Sequence, residues 1–322
     1  MSAVHAVLPN DIDDPAAPSG GNVYDRRVLA GLAALGWSVR EHAVRGGWPT
    51  PLPAERAGLA RVLAALPDGA LVLLDGLVAS AVPELLVPQA RRLRLVVLVH
   101  MPLGDEAERA ALTAARAVVA TGPWTRDRLS GLDVQVATPG VDPAPLAPGS
   151  ATGRRLLCVA AVTPHKGQDL LAAALAGLDA SCVCVGSLTR DPDFVARLPT
   201  DRLRLVGPLV GPQLDAAYAA ADLLVLPSRG ETYGMVVTEA LARGIPVLAT
   251  AVGGVPETLG HAPDGSVPGL LVEPAALAGA LRCWLTDADL RLRLRRSARA
   301  RRATLTGWDV TARRVSTVLA AV

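Results

Sequence analysis

The chain has 322 residues, which is enough for two domains that each bury a core of their own. Apolar residues make up 51% of the sequence but aromatic residues only 3%, so the cores must consist mainly of Ala, Val and Leu. The net charge of +2 argues against nucleic acid as a partner, and no apolar run reaches the roughly 18 to 20 residues that a membrane span requires.

The N-terminal residues predict a protein that stays in the cytoplasm. Residues 1–8 lack the basic segment and the long apolar segment of a signal peptide. The four cysteines form neither a CxxC pair nor a zinc-binding spacing, so we expect neither a disulfide nor a bound metal. The basic stretch at residues 291–296 alternates with leucine, and we interpret it as the solvated face of a late helix rather than a membrane or partner surface.

Short apolar runs and segments of helical periodicity follow each other along the whole chain. Strands are predicted, in chain order, at Ala3–Leu8, Leu71–Leu74, Leu93–Val99, Arg154–Ala161, Ala180–Val185, Leu203–Val206, Leu223–Leu226 and Pro246–Thr250. Helices are predicted at Tyr24–Leu35, Asp169–Leu178, Gln213–Ala221 and Met235–Arg243. This alternation is typical of an α/β fold in which helices cover both faces of parallel sheets.

A stretch rich in Pro and Gly, residues 138–153, has no periodicity and is the predicted linker between two α/β domains. The N-terminal domain then covers residues 1–149 and the C-terminal domain residues 150–307. The last segment, residues 308–322, is a helix long enough to pack back on the first domain. Because open parallel sheets bind ligands beyond the carboxyl ends of their strands, two such domains facing each other would enclose a cleft.

Two features of the first half lie where predicted strands end. Gly20 and Gly21 follow the first strand and precede a helix, either as a ligand-binding loop or as an ordinary turn capped by Asn22. They match neither the dinucleotide-binding GxGxxG pattern nor a P-loop. His100 ends a strand, where it either reaches a ligand or forms a structural hydrogen bond.

Lys166 follows the first strand of the second half and is the only lysine of the sequence, since every other basic side chain apart from histidine is an arginine. A compact ammonium at the carboxyl end of a strand is suited to neutralising a phosphate leaving group. The alternative is a chance surface lysine beside a turn glycine.

Residues 221–257 carry the most specific pattern. A buried strand is followed by Glu231, and a helix begins near Gly234. The free amides of Gly234, Met235 and Val236 in its first turn favour an anion such as a diphosphate. Glu231 and Glu239 can each accept two hydrogen bonds from sugar hydroxyls. The alternative interpretation makes both glutamates solvated surface residues.

The spacing of Glu231 and Glu239 is E-x7-E, within ETYGMVVTEALARGIPVLAT and followed by GGVPE. Together with the HKGQDLL and YAAADLLVLPS segments, it resembles the GT4 family of retaining glycosyltransferases, most strongly at residues 155–260. The resemblance implies the GT-B fold, in which two Rossmann-like domains face each other across a cleft. The N-terminal domain would bind the acceptor and the C-terminal domain the nucleotide-sugar donor.

The resemblance also implies roles for individual residues. Glu231 would hold hydroxyls of the transferred sugar and Glu239 the ribose. Lys166 and the helix amides would bind the diphosphate, and the nucleobase would lie beside Gly207 and Leu209. The loop at Gly20 and Gly21 would close over the donor phosphate or line the acceptor pocket. His100 would reach the sugar or the acceptor. Ala161 stands where the family commonly has a phosphate-binding arginine, for which Arg229 is a candidate replacement.

The predicted activity is therefore the retaining transfer of a hexose-type sugar, expected to be UDP-linked, to an acceptor hydroxyl of a small molecule, without a metal or other cofactor. Two alternatives remain. One is a nucleotide-sugar epimerase of the same fold, and the other is a catalytically inactive subunit that only binds a nucleotide sugar, which Ala161 would favour.

Overall fold

The computed structural model describes residues 2–16 and 18–322 and divides into two units. The first consists of the described part of Met1–Asp13 with Gly20–Gly140 and Trp308–Val322; the second consists of the described part of Asp14–Ser19 with Val141–Gly307. The division therefore falls nine residues before the boundary expected from the sequence. Residues 141–149 are not a free linker, because the amide of Val141 donates to Thr306 and that of Ala147 to Arg243, both in the second unit.

The first unit contains a six-stranded sheet in which every pair of neighbours is parallel. Its strands, in the spatial order β2-β1-β3-β4-β5-β6, are β1 (Ala3–Pro9), β2 (Ser38–Val44), β3 (Leu71–Asp75), β4 (Arg94–Val99), β5 (Ala117–Ala120) and β6 (Val134–Val136). The sequence analysis missed β2, β5 and β6. β2 lies at an edge and is largely exposed, and the other two are too short to show a clear apolar run.

Helices cover both faces of this sheet and bury one apolar cluster on each. They are α1 (Gly20–Ala34), α2 (Pro53–Ala65), α3 (Gly76–Ser80), α4 (Pro83–Gln89), α5 (Glu106–Ala114) and α6 (Pro123–Arg128). α1 begins four residues earlier than predicted, so Gly20 and Gly21 are its first two residues. Both glycines therefore lie in a helical turn, close to the carboxyl end of β1.

The second unit repeats this architecture with another parallel six-stranded sheet. Its strands, in the spatial order β12-β11-β10-β7-β8-β9, are β7 (Arg155–Val159), β8 (Ser181–Val185), β9 (Leu203–Gly207), β10 (Leu223–Leu226), β11 (Val247–Thr250) and β12 (Gly269–Val272). Its helices are α7 (Gln168–Leu175), α8 (Pro192–Arg197), α9 (Pro212–Ala219), α10 (Met235–Ala242), α11 (Val255–Leu259), α12 (Leu277–Thr286) and α13 (Ala288–Arg301).

The terminal helix, α14 (Trp308–Ala321), belongs to the first unit and packs along α1. Val315 and Leu319 are buried in the same apolar cluster as residues of α1, and the Trp37 indole donates to the Ser316 hydroxyl. The approach is close, because a Cβ on Gly31 would lie 2.4 Å from the Cβ of Ala312. The last helix thus completes one face of the N-terminal sheet.

The basic stretch at residues 291–296 corrects one expectation. It lies on α13, but Arg291 is buried and donates to the backbone oxygens of Trp284 and Leu285. Arg295 turns inward as well, to the backbone oxygen of Ser150 and the buried carboxylate of Asp222. The interpretation as a solvated face is therefore wrong for these two arginines, whose guanidinium groups tie α13 to the unit.

The four cysteines are free, and three of them are buried in β7 and β8. Among the helices of the described residues, none combines the length and the apolar character needed to cross a membrane.

Candidate functional site

The loop between β10 and α10 forms the centre of the C-terminal site. The strand ends at Leu226, and α10 begins after Gly234, which has a positive φ of 82°. Gly234 therefore provides the left-handed conformation that turns the chain into the helix. The amides of Met235 and Val236 occupy the first turn, where the helix itself offers no acceptor, so this end can bind an anion.

Lys166 and Glu231 form an ion pair beside this helix end. The Lys166 Nζ atom lies 2.6 Å from Glu231 Oε2, and the two side chains are 21% and 11% exposed. Lys166 is the last residue of a short 3-10 turn after β7, and Glu231 lies in the loop after β10, the neighbouring strand. The structure thus brings together the two predicted charged groups from the carboxyl ends of adjacent strands.

The 3-10 turn is held against the β10 loop by glycine packing. Gly167 has a φ of 72°, and a Cβ there would lie 2.0 Å from the backbone oxygen of Pro227. The amide of Arg229 donates to the backbone oxygen of His165 at 2.7 Å. No side chain fits at position 167, so the glycine after Lys166 is required for the ammonium to approach Glu231.

A second glycine contact, which the sequence analysis missed, supports Glu231 from the other side. The amide of Gly254 donates to the backbone oxygen of Glu231 at 3.0 Å. Gly253 has a φ of 55°, and a Cβ there would lie 1.7 Å from the same oxygen. The sequence contained a sign of this contact, since GGVPE begins three residues after the end of β11, the next strand of the sheet.

Glu239 lies in the second turn of α10, where Tyr218 of α9 holds its side chain. The Tyr218 hydroxyl donates to Glu239 Oε2 at 2.6 Å, and Arg243 lies over the tyrosine ring at 4.6 Å from its centre. Burial raises the pKa of Glu239, although the Tyr218 hydrogen bond and the charge of Arg243 act in the opposite direction. One carboxylate oxygen is therefore fixed.

Arg229 does not stand free as a replacement for the arginine expected at position 161. Its guanidinium donates to both carboxylate oxygens of Asp169, at 2.8 and 2.6 Å, and to the backbone oxygen of Pro164. This pairing lowers the pKa of Asp169. Ala161 lies just beyond β7, and its backbone oxygen accepts a hydrogen bond from the buried Gln168 side chain. The charge of Arg229 is compensated by Asp169, just as that of Lys166 is compensated by Glu231, so a role of Arg229 in place of the arginine expected at position 161 stays a prediction.

Gly207 is the last residue of β9, the edge strand of the same sheet, and Leu209 follows it. Gly207 has a φ of 76°, and its backbone oxygen accepts from the amide of Gly186. Leu209 is half-buried and packs on the apolar cluster that includes Leu226. These residues share the carboxyl edge of the sheet with Lys166 and Glu231, and no contact between them and the ion pair is observed in the part of the chain that the structure describes.

In the first unit, His100 lies between two buried carboxylates. Its Nε2 atom is 2.8 Å from Asp25 Oδ1 and 3.6 Å from Asp75 Oδ2. Asp25 comes from α1, and Asp75 ends β3, where its Oδ1 atom accepts hydrogen bonds from the amides of Leu77 and Val78. The sequence analysis named His100 but neither aspartate, because only the fold brings the three residues together.

The burial of this cluster changes its acid–base properties. Burial and the nearby Asp25 raise the pKa of Asp75 to about 7, against the opposing effects of His100 and the two amides. Burial disfavours the charged form of His100, but the carboxylates of Asp25 and Asp75 outweigh it, and the pKa of His100 is raised. Opposite charges thus stabilise each other where water does not reach them.

Gly21 lies against the imidazole, since a Cβ at that position would be 3.4 Å from His100 Cδ2. Tyr24 packs its ring edge-on at 5.1 Å and donates its hydroxyl to the backbone oxygen of Ala137. The structure therefore unites His100 with the predicted glycine pair at the start of α1. Whether these residues touch a substrate stays a prediction.

Asp25, Asp75 and His100 have ligand atoms within 4.8 Å of one another, and no other such group of His, Cys, Asp and Glu side chains occurs among the described residues. Hydrogen bonds account for these contacts. One oxygen of Asp75 is taken by two amides, and the contact between His100 and Asp25 has the length of a charge-assisted hydrogen bond. That the activity needs no metal stays a prediction.

Comparison with known proteins connects the C-terminal geometry to a family. Residues 153–287, which include Lys166 and both glutamates, match the family model described as Glycosyl transferases group 1. The C-terminal unit belongs to the group 1 glycosyltransferases. The predicted resemblance to GT4 enzymes is thereby confirmed.

Curated relatives of this glycosyltransferase unit carry one recurring name. D-inositol 3-phosphate glycosyltransferase 1 of Catenulispora acidiphila is 35% identical over 240 residues, which cover 63% of this chain and 56% of that protein. The D-inositol 3-phosphate glycosyltransferase of Mycolicibacterium smegmatis is 31% identical over 252 residues, covering 72% of this chain and 53% of that protein. The chain thus spans about half the length of the curated relatives it matches.

Solved structures resemble the chain over its whole length. Sucrose-phosphate synthase from Thermosynechococcus elongatus has a TM-score of 0.78 at 23% identity, covering 100% of this chain and 99% of that one. HepE from Anabaena, described in complex with UDP and glucose, has a TM-score of 0.75 at 18% identity, with 100% of both chains covered. These similarities confirm the predicted GT-B fold with two Rossmann-like units.

Proposed function

We propose that the chain is a retaining glycosyltransferase that moves a hexose-type sugar from a UDP-linked donor to a hydroxyl of a small-molecule acceptor, without a metal. The observation that carries this proposal is the pairing of Lys166 with Glu231 beside the free N-terminus of α10. It places one cation from the turn after β7 beside one carboxylate and two amides from the loop after β10, a combination that suits a sugar diphosphate.

In this proposal the donor diphosphate binds at the first turn of α10 and takes Lys166 from its ion pair. Glu231, freed from the ammonium, accepts hydrogen bonds from hydroxyls of the transferred sugar. Glu239 accepts hydrogen bonds from the ribose hydroxyls. Gly207 and Leu209 lie beside the base, and Gly234 allows the phosphate to approach the backbone closely. The helix dipole and Lys166 stabilise the negative charge that develops on the leaving diphosphate.

No protein nucleophile is needed in this scheme. The acceptor hydroxyl attacks on the face from which the diphosphate departs, and a phosphate oxygen accepts its proton. The protein then acts through orientation and charge stabilisation. His100 of the first unit is assigned to the sugar or acceptor side.

The names of similar proteins support both substrates. HepE is described with UDP and with UDP-glucose, which favours a uridine donor. The curated relatives are named for an inositol phosphate, which favours a small acceptor over a polymer.

A second candidate function is an inactive subunit that only binds a nucleotide sugar. Ala161 favours it, because the phosphate site then lacks the arginine that the family commonly has at that position.

The test measures binding and turnover separately. Isothermal titration with UDP, GDP, ADP and TDP, with and without EDTA, identifies the base and any metal requirement, and hydrolysis or transfer of UDP-glucose reports turnover. We expect UDP to bind regardless of EDTA. Glu231→Ala should lower turnover more than about 100-fold with UDP affinity retained, as for loss of a contact made in the transition state.

Glu239→Ala should weaken UDP binding about 10-fold or more, consistent with about 1.5–3 kcal/mol for hydrogen bonds to a charged group. Glu273→Ala, an exposed glutamate of the same unit, is the matched control and should change neither quantity. Nucleotide binding without turnover would favour the inactive subunit. Absence of binding to every nucleotide would refute both functions.

A further inference from the structure

The two ring nitrogens of His100 have different surroundings, and the proposed function does not explain this difference. Nε2, the ring nitrogen that faces inward, is held by Asp25, with Asp75 next to it, and these two residues are 2% and 4% exposed. Among the described residues, no hydrogen bond to the other ring nitrogen, Nδ1, is observed. Asp25 thus holds the Nε2 end of the imidazole, whereas the Nδ1 end has no hydrogen bond to the described residues.

We propose that Asp25 and Asp75 are positioning residues that keep His100 doubly protonated, with Nε2–H turned inward and Nδ1–H available as a donor to a substrate oxygen. The contact with substrate rests on the proposed function. The charge and orientation of the ring are independent of that function, since they follow from groups within the first unit.

Charge balance within the cluster requires a cation beside the two aspartates. Two carboxylates buried side by side repel each other and cannot both remain ionised without a cation. The groups that face them are the imidazole of His100, the amides of Leu77 and Val78 on Asp75, and the neutral ring of Tyr24. His100 is the one group among these that can take a positive charge, so a proton on its second nitrogen relieves the repulsion.

The arrangement of elements also orients the ring. Asp25 lies in the second turn of α1 and Asp75 at the end of β3, so two separate elements fix the Nε2 end of the ring. Gly76 is packed so closely that an added Cβ would lie 2.8 Å from the backbone oxygen of Leu98, which locks Asp75 beside β4. A Cβ on Gly21 would lie 3.4 Å from His100 Cδ2, so the glycine lets α1 approach the imidazole closely. Both features serve the orientation of His100.

The pH dependence follows from the raised pKa of His100. The imidazolium persists above its ordinary value of about 6.5, and its charge is lost as the pH rises through the raised value. Asp25→Asn removes the strongest attraction, so the charge is lost at a lower pH. Asp75→Asn removes a weaker attraction, from a carboxyl group whose pKa is about 7. It should therefore lower the pKa of His100 as well, but by less.

The experiment is NMR of the full chain labelled with 15N at its five histidines. Long-range 1H–15N spectra from pH 5 to 9 distinguish the imidazolium from either neutral tautomer, and His100→Gln assigns the signal. We expect two protonated nitrogens on His100 at pH 7. The midpoint should fall by about one pH unit or more in Asp25→Asn, by less in Asp75→Asn, and not at all in Asp68→Asn, an exposed aspartate of the same unit.

A neutral His100 at pH 6.5 in the unaltered protein, or an Asp25→Asn variant with an unchanged midpoint, would overturn the proposal. A midpoint that moves when EDTA is added would also overturn it, because a bound cation would then neutralise the two carboxylates. If Asp25→Asn fails to fold, Asp25→Glu and Asp75→Asn still test the charge.

The kinetic readout separates this inference from the proposed function. With UDP-glucose as donor, the alkaline limb of the kcat profile should shift to lower pH in Asp25→Asn while the donor KM stays within about twofold. A shift in the NMR midpoint in a protein that turns over no nucleotide sugar would leave the inference standing and refute the proposed function. A drop in Tm with no pH shift would reduce Asp25 to a structural residue.

Discussion

Tyr218 determines how Glu239 can meet a ligand. Its hydroxyl takes Oε2, so Oε1 is the oxygen left for a ribose hydroxyl, and the ring of Tyr218 is itself held under Arg243. The hydrogen bond also favours the ionised carboxylate, which burial disfavours. Because only the carboxylate accepts two hydroxyl protons well, Tyr218 is expected to sustain nucleotide binding without touching the nucleotide.

We therefore predict that Tyr218→Phe weakens UDP binding about 10-fold at pH 7, which corresponds to about 1.4 kcal/mol, because Glu239 then loses the hydrogen bond that favours its ionised form. The loss should grow as the pH falls. Nucleotide affinity disappears when the pH drops through the pKa of Glu239, and removal of the hydroxyl moves that pKa further up. Calorimetric titration with UDP between pH 5 and 8 measures this effect.

Tyr24→Phe provides the control for this change. Tyr24 is as deeply buried as Tyr218, and its change to Phe also removes a hydrogen bond, the one from its hydroxyl to the backbone oxygen of Ala137. Tyr24, however, lies in the first unit. It should lower the Tm and leave UDP affinity unchanged. Equal losses of UDP affinity in the two variants would contradict the role assigned to Tyr218.

At the scale of elements, Glu231 depends on two neighbouring loops. The turn after β7 contributes Lys166 and the loop after β11 contributes Gly253 and Gly254, so Glu231 lies between the ends of three adjacent strands, β7, β10 and β11. Each contact requires a glycine with positive φ, at position 167 or 253, that lets one backbone approach another. The glutamate is therefore placed by packing rather than by its own loop.

Gly253→Ala is predicted to displace Glu231. The new Cβ would lie 1.7 Å from the Glu231 backbone oxygen, and the positive φ adds about 1–3 kcal/mol of backbone strain. Turnover of UDP-glucose should fall at least about 10-fold, and the free energy of unfolding should drop as well. Steady-state kinetics and urea denaturation measure the two effects.

Gly230→Ala is the matched control in the same loop. It lacks a positive φ, and nothing lies within 4 Å of an added Cβ. Near-normal turnover is expected. If the two alanine variants behaved alike, the support of Glu231 by the loop after β11 would have to be abandoned.

At the scale of the whole molecule, the last helix of the chain closes the first unit. α14 buries Val315 and Leu319 against the sheet and stacks Trp308 edge-on against Tyr24, the residue that also packs on His100. Burial of each large aliphatic side chain contributes roughly 1.5–3 kcal/mol. The stability of the N-terminal unit thus depends on residues from both ends of the chain.

Gly31→Ala should therefore destabilise the first unit by about 1–3 kcal/mol, because its Cβ would overlap that of Ala312 and push α14 away from α1. Gly58→Ala, also in a helix of this unit, should be neutral or stabilising by about 0.5–1 kcal/mol, because an added Cβ would meet only the end of the Arg61 side chain, at 4.0 Å. Urea denaturation followed by tryptophan fluorescence compares the two. Equal stability of both variants would contradict the packing of α14 on α1.

Much of the fold and part of the site could be predicted from local pattern. Buried parallel strands appear as short apolar runs, so eight strands were found near their observed positions, whereas the exposed edge strand β2 and the short β5, β6 and β12 were missed. Alternation of strands and helices determined the α/β class. The E-x7-E spacing and the isolated lysine marked the proposed donor site because Lys166 and Glu231 follow strands that the sequence itself reveals.

Only the tertiary structure decided which of these residues meet. Lys166 and Glu231 are 65 positions apart, and they pair because β7 and β10 are neighbours in the sheet, an order that no local pattern specifies. Asp25 and Asp75 were overlooked for the same reason, since neither stands out in the sequence and only the fold brings α1, β3 and the end of β4 together. Arg291 was misjudged because periodicity describes the face of a helix but not what covers that face. The sequence determined the elements and their chemistry; strand order and packing decided the contacts, because contacts depend on distant parts of the chain.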